Sequence, residues 1–142
     1  MFSNNNLKMK TESNFLSWHK EKYKINNKSI DNVYFREKDI WFCRIGMNIG
    51  YEEDGKGDCF LRPVIIIKKI NKNLFIGIPL TSSDKIKDDR FYYKFKYIES
   101  KTSYAILPQI RAFDSKRLDY KNGEIKSIEF LEIKQKIKDL IL

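Results

Sequence analysis

Three side chains of this 142-residue sequence have the types and placement to act together on a phosphate: Arg62, Thr81 and Glu52. Arg62 stands before Pro63 at the start of the most apolar run of the chain, "FLRPVIIIKKI". Proline cannot donate to a strand ladder, so it belongs at a strand start or edge, and it holds the preceding residue extended. Arg62 is therefore expected at a rim, where its planar fork of donors suits phosphate oxygens. Thr81 follows the apolar run "FIGIPL" and is expected at another strand end, with a hydroxyl that donates or accepts. Glu52 lies in the loop before Arg62, placed to move a proton or orient the arginine. The plainer readings stand beside these: Arg62 as a surface partner of Glu52, Glu53 or Asp54, and Thr81 as a turn residue.

Other chemistries find no residues. The single histidine, His19, rules out a two-histidine ribonuclease site within one chain and a His-rich metal site. The two cysteines, Cys43 and Cys59, sit beside aromatics with no CxxC pattern, as free thiols of a reducing compartment do. No phosphate-cradling GxxxxGK[ST] and no GxGxxG occurs, and no Ser-His-Asp set can be assembled. An arginine, a hydroxyl and a carboxylate at one mouth suit phosphoryl chemistry with neither metal nor cofactor. The net charge of +9 favours a polyanionic partner, although lysines also serve simply to solvate a surface.

These groups need strands to hold them. The length fits one domain able to bury roughly 70% of its unfolded surface without staples. Residues Met1 to Asn6 read as disordered. "TESNFLSWHKEKYKINN" reads as a short amphipathic helix with Phe15, Trp18 and Lys22 on one face, capped by Thr11 or Ser13. Strands are expected at "DIWFCRI", "FLRPVIIIKKI", "KNLFIGIPL", "RFYYKFKYI" and "SYAILPQI". A long Gly-rich loop separates the first two, and turns, a short helix and a last short strand fill "RAFDSKRLDYKNGEI". "SIEFLEIKQKIKDLIL" reads as a closing helix with Ser127 as N-cap and Phe130, Ile133 and Ile137 facing the core. The expected fold is mainly β: a small SH3-like barrel with an N-terminal and a C-terminal α-helix, residues 1–37 forming an extension and 38–142 the barrel domain. The N-terminus lacks a signal-peptide core and no run approaches the ~18 apolar residues of a membrane span, so a cytoplasmic place without membrane attachment is expected.

The segments "DIWFCRIGMNIGYEEDGKGDCFLRPVIII", "GIPLTSS", "ILPQIRAFDSKRL" and "NGEI", in this order, resemble the MazF/PemK toxins of bacterial type II toxin–antitoxin systems. The N-terminal "FLSWHKEKYKIN" resembles an extension found in a sub-branch with a longer loop before Arg-Pro. The resemblance implies an SH3-like barrel, a homodimer, and an endoribonuclease that cuts single-stranded RNA by metal-independent attack of the 2′-hydroxyl, leaving a 2′,3′-cyclic phosphate and a 5′-hydroxyl. It also implies an antitoxin partner with an acidic segment. It carries catalytic roles onto Arg62, Thr81 and, through the longer loop, Glu52. It suggests RNA contacts at Asn48, Lys56, Phe60, Ser82 and Gln109, and structural or dimer roles for Asp114 and Arg117. Two rivals share the barrel: an RNA-binding barrel without catalysis, and a gyrase-poisoning toxin, which the C-terminal "KDLIL" disfavours for want of a tryptophan.

Overall fold

The computed structural model describes residues 9–29, 33–85 and 87–142; the expectation for Met1 to Asn6 falls outside them. Helix α1 (Glu12–Asn27) opens the described chain, and strands β1 (Asp39–Arg44), β2 (Leu61–Asn71), β3 (Leu74–Thr81), β4 (Tyr92–Ile98), β5 (Lys101–Ile106), β6 (Arg111–Asp114) and β7 (Leu118–Glu124) follow. Helix α2 (Ser127–Ile141) closes it. The seven strands form one antiparallel sheet in the order β4-β5-β3-β2-β1-β7, with β6 paired to β3. This is the mainly β fold with two terminal helices that the sequence implies.

β2 explains the unbroken apolar run. Successive side chains of a strand point to opposite faces, and here both faces are covered. Ile65 and Ile67 join the cluster under α2, with Ile40, Ile78, Leu80, Phe95, Phe130 and Ile133. Val64 and Ile66 join the opposite cluster, with Phe35, Cys43, Phe75, Phe113 and Leu118. The two ends of the sheet meet without a ladder. Tyr97 of β4 lies over Gly123 of β7, where a Cβ would come within 2.8 Å of its ring, and Asn122 Nδ2 donates to the Tyr97 hydroxyl at 2.8 Å. The barrel is thus rolled and sealed by side chains rather than closed by backbone pairing.

Two local expectations are corrected. The segment from Arg111 is not mainly turns: β6 pairs Arg111–Asp114 with Leu74–Gly77 of β3, and a 3-10 turn at Ser115–Arg117 leads into β7. Four residues carry too little local pattern to announce a strand; the partner strand supplies it. Ser127 is not the N-cap of α2. Lys126 takes that position without a side-chain cap, and the Ser127 hydroxyl instead accepts from Lys38 Nζ at 2.7 Å. The chain is fixed there by β7, whose end holds Ile125 N–H on the Lys38 carbonyl at 3.0 Å.

α1 behaves as an amphipathic surface helix. Thr11 and Asn14 form its capping box. Trp18 is buried while Phe15 remains 40% exposed. Trp18 fills the space above Gly46, whose φ of +92° and distance to the indole (a Cβ would lie 2.2 Å from it) admit only glycine. Phe60 packs against Trp18 with ring centroids 5.3 Å apart.

Candidate active site

The β2–β3 ladder ends at Val64–Pro79. Pro63 lies one residue past that pair on β2, and the chain of β3 runs on from Pro79 to Leu80 and Thr81. Arg62 takes over where the ladder stops. Its Nη1 donates to the Leu80 carbonyl at 3.1 Å, its Nε to the Asp54 carbonyl at 2.5 Å, and its Nη2 sits 3.1 Å from a Glu53 carboxylate oxygen. The pairing of arginine with proline at the mouth of the apolar strand follows from this. Proline stops the backbone pairing, and the guanidinium bonds the carbonyl that lies beyond it.

The arginine stands at the strand start, as expected, but is enclosed there rather than lying on the surface. Arg62 is only 8% exposed. The three contacts leave one N–H on each terminal nitrogen for a further acceptor. Through Leu80 the guanidinium stands one residue from Thr81. Thr81 pairs with Tyr104 of β5, and its hydroxyl accepts from the Ser83 N–H at 3.2 Å, which fixes the chain as it leaves β3. The turn reading of Thr81 is therefore met, at a position next to the carbonyl that Arg62 bonds.

The loop carboxylate facing Arg62 is Glu53, not Glu52. Glu52 is exposed, accepts from the Ile49 N–H at 3.0 Å, and lends its charge to Arg111 instead. The loop is built from within. Asn48 Nδ2 donates to the Glu53 carbonyl at 2.7 Å, and the Asn48 N–H to the Asp54 carboxylate at 2.5 Å. Gln109 clamps it from the far side, donating to the Tyr51 carbonyl at 3.1 Å and accepting from the Glu53 N–H at 3.3 Å. Asn48 and Gln109 thus act first as scaffolding of the site loop. Phe60 is buried under Trp18 and lines the cleft between α1 and the loop. Lys56 and Ser82 are exposed at the loop and just past Thr81.

Asp114 caps the 3-10 turn, accepting from the Lys116 N–H at 2.8 Å. Arg117 donates to the Arg44 carbonyl at 3.1 Å and lies 5.9 Å from the Trp18 ring. Burial makes its guanidinium a stronger acid than usual. Arg117 thus belongs to the frame at the start of the site loop, and Asp114 to the turn that presents it.

Sequence reasoning missed four groups at this mouth. Lys87 lies over the Tyr92 ring at 4.6 Å and the Tyr104 ring at 5.8 Å. Burial lowers its pKa, partly offset by the Glu53 charge. Burial raises the Tyr92 phenol, with Glu53 adding to the effect. Lys10, ahead of α1, forms an ion pair with Asp54 at 2.8 Å and donates to the Asn48 carbonyl at 2.6 Å, so the segment before the barrel pins the loop that holds Arg62. None of these residues sits in a motif. Only the spatial meeting of four separate segments brings them together. Between α1 and the loop opens a cleft of about 940 Å³, lined among others by Lys20, Lys24, Tyr51, Lys56 and Arg62. Among the described residues no three His, Cys, Asp or Glu side chains gather as metal ligands.

The fold and its mouth define a class: a small rolled β-sheet protein whose strand ends gather an anchored arginine, a threonine, a lysine on tyrosine rings and a carboxylate. The family model described as PemK-like, MazF-like toxin of type II toxin–antitoxin system matches residues 36–141. The chain belongs to this family. Among solved structures it is similar to MazF from Deinococcus radiodurans, with 16% identity and a TM-score of 0.61 over 77% of this chain and 98% of that one. It is also similar to an endoribonuclease in complex with its cognate antitoxin from a mycobacterial species, with 13% identity and a TM-score of 0.53 over 74% and 92% of the two chains. The toxin MazF-mt6 of Mycobacterium tuberculosis aligns with 10% identity and a TM-score of 0.53 over 72% and 94%. At these identities the structural likeness speaks for the fold. No curated protein matches in sequence.

Proposed function

We propose that the protein is the toxin of a toxin–antitoxin pair and cuts single-stranded RNA. The 2′-hydroxyl attacks the adjacent phosphate, giving a 2′,3′-cyclic phosphate and a 5′-hydroxyl end. The observation that carries this reading is the immobilised Arg62 guanidinium beside Thr81. It is preorganised, largely dehydrated, and keeps an N–H on each terminal nitrogen. Such fixed donors aimed at developing charge often supply the largest share of catalysis. Thr81 binds a second phosphate oxygen. Glu53, held by Arg62, takes the role of base that the sequence alone gave to Glu52. The net charge of +9 supplies the sequence-blind part of RNA binding, and RNA offers the 2′-hydroxyl that DNA lacks.

Membership of the family supports an antitoxin partner whose acidic segment complements this charge. Two copies related by a two-fold axis would lay one RNA strand across both mouths. The scheme uses the site's own side chains and no metal, and the cytoplasm, where the RNA is, is the proposed location. In this reading residues 1–37 are an extension to a barrel domain of 38–142, and its Lys10 and Trp18 brace the site loop.

One observation favours a second reading. The three intrachain contacts of Arg62 are also what a purely structural arginine would make, as in a barrel that binds RNA without cutting it. Incubating the full chain with a mixed single-stranded RNA pool in excess EDTA separates the two. Cleavage with kinase-ready 5′-hydroxyl ends supports the endoribonuclease, and binding without cleavage supports the other. An RNA with hydrogen in place of the 2′-hydroxyl at the cut position should bind and stay intact.

A further inference from the structure

In-line attack by a 2′-hydroxyl needs a proton carrier at each end of the displacement. The departing 5′-oxygen is a poor leaving group unless it is protonated as the P–O bond breaks. The usual donor, an imidazole, is not to hand: the only histidine, His19, lies on α1 beside Trp18 and Arg117. Arg62 is unsuited to the task, since guanidinium holds its protons too tightly.

Lys87 is placed differently. It comes from the loop between β3 and β4 and rests its ammonium on two tyrosine rings, Tyr92 of β4 and Tyr104 of β5. Tyr104 is the backbone partner of Thr81. The Glu53 charge bears on Lys87 and Tyr92 alike, and Glu53 is ion-paired with Arg62 at 3.1 Å. Lys85 and Asp84 of its own loop are the other charges that bear on it. Lys87 is thus held against the residue paired with Thr81, and the Glu53 carboxylate that bears on it is the ion-pair partner of Arg62. Tyrosine faces attract the cation and fix its position, which keeps a proton on the nitrogen; burial acts the other way and makes that proton easier to give up.

We propose that Lys87 is the general acid of the cleavage reaction, donating its proton to the departing 5′-oxygen. The proposal rests on the endoribonuclease reading above. As the O2′–P bond forms and the P–O5′ bond breaks, the 2′-hydroxyl proton passes to the Glu53 carboxylate. The Lys87 ammonium proton passes to O5′, which leaves as a 5′-hydroxyl. The chain is left with a protonated Glu53 and a neutral Lys87, and solvent returns the proton from one to the other. Burial makes Lys87 a stronger acid than a solvated lysine, in the direction this role requires.

The test first maps a cut site with the wild-type chain. It then compares two synthetic RNAs of that sequence, one natural and one with sulfur in place of the bridging 5′-oxygen at the cut. A thiolate leaves without protonation, so it dispenses with the acid. Lys87→Met should slow single-turnover cleavage of the natural RNA by about 10²–10³-fold and cleave the sulfur substrate at close to the wild-type rate. Lys87→Arg keeps the charge and should remain slow on the natural RNA. The alkaline fall of the wild-type pH–rate profile should vanish in Lys87→Met. Equal losses on both substrates would overturn the proposal and make Lys87 a phosphate-binding cation; so would rescue by arginine, or an unchanged natural rate. A wild-type chain that cuts no RNA at all would overturn the endoribonuclease reading and this one with it, and would be seen before any variant is made.

Discussion

Replacing Arg62 by alanine tests the site and the fold at once. Read from sequence, Arg62 is a rim residue whose loss costs stability within about 1 kcal/mol, as for surface substitutions. The structure changes that figure. The side chain is 8% exposed and bonds the Asp54 and Leu80 carbonyls as well as the Glu53 carboxylate. Three contacts at about 1 kcal/mol net each give a loss of about 3 kcal/mol. Glu53 remains 27% exposed at its side chain, so it regains water and the penalty stays below that of a fully buried broken pair. For a chain of this size that corresponds to a fall in Tm of about 10 °C. Catalysis should fall by about 10²–10³-fold, measured in single turnover well below the lowered Tm. A double-mutant cycle with Glu53→Ala separates the terms: the stability losses should not add, because the two residues share one interaction. A variant that melts within 1–2 °C of the wild type, a shift worth under about 1 kcal/mol, would refute the structural estimate. A near wild-type cleavage rate would refute the catalytic one.

Thr81→Ala should reduce cleavage more mildly than Arg62→Ala, with little change in RNA affinity, since other cations carry the binding; filter binding beside single-turnover rates checks both. Lys10→Met should loosen the loop that presents Arg62 and lower the cleavage rate, while Lys10→Arg restores it; faster hydrogen exchange confined to residues 46–60 is the companion measurement. Trp18→Ala empties the space over Gly46 and should destabilise by about 3–5 kcal/mol, read by urea unfolding. Burial and the Glu132 carboxylate, to which its hydroxyl donates, raise the Tyr93 phenol above its ordinary value. The associated stability is complete below about pH 10, the unfolded value, and is lost as pH rises from there toward the folded value. Tyr93→Phe should therefore flatten the alkaline decline in a series of melts from pH 8 upward.

The sequence by itself determined the parts whose signal is local. The β-branched run from Val64 to Ile67, the turn between β2 and β3 and the apolar stripe of α2 announce their elements, because period and turn chemistry act over a few residues. The Arg-Pro and Leu-Thr pairs mark the two strand ends that meet at Arg62 and Thr81. Tertiary structure decided what depends on distant partners. β6 exists because β3 offers it an edge. Ser127 gives up its cap to Lys38. The longer loop turns Glu53, rather than Glu52, toward the arginine, since loop register is set by clamps from Gln109 and Lys10 that lie 38 or more residues away in sequence. Lys87 reaches the mouth only because β4 and β5 set Tyr92 and Tyr104 beneath it. Above all, the burial of Arg62 could not be read from its neighbours in the chain. Burial is a property of what packs around a residue, and here a carbonyl of β3 and two loop residues enclose a charge that composition alone would leave in water.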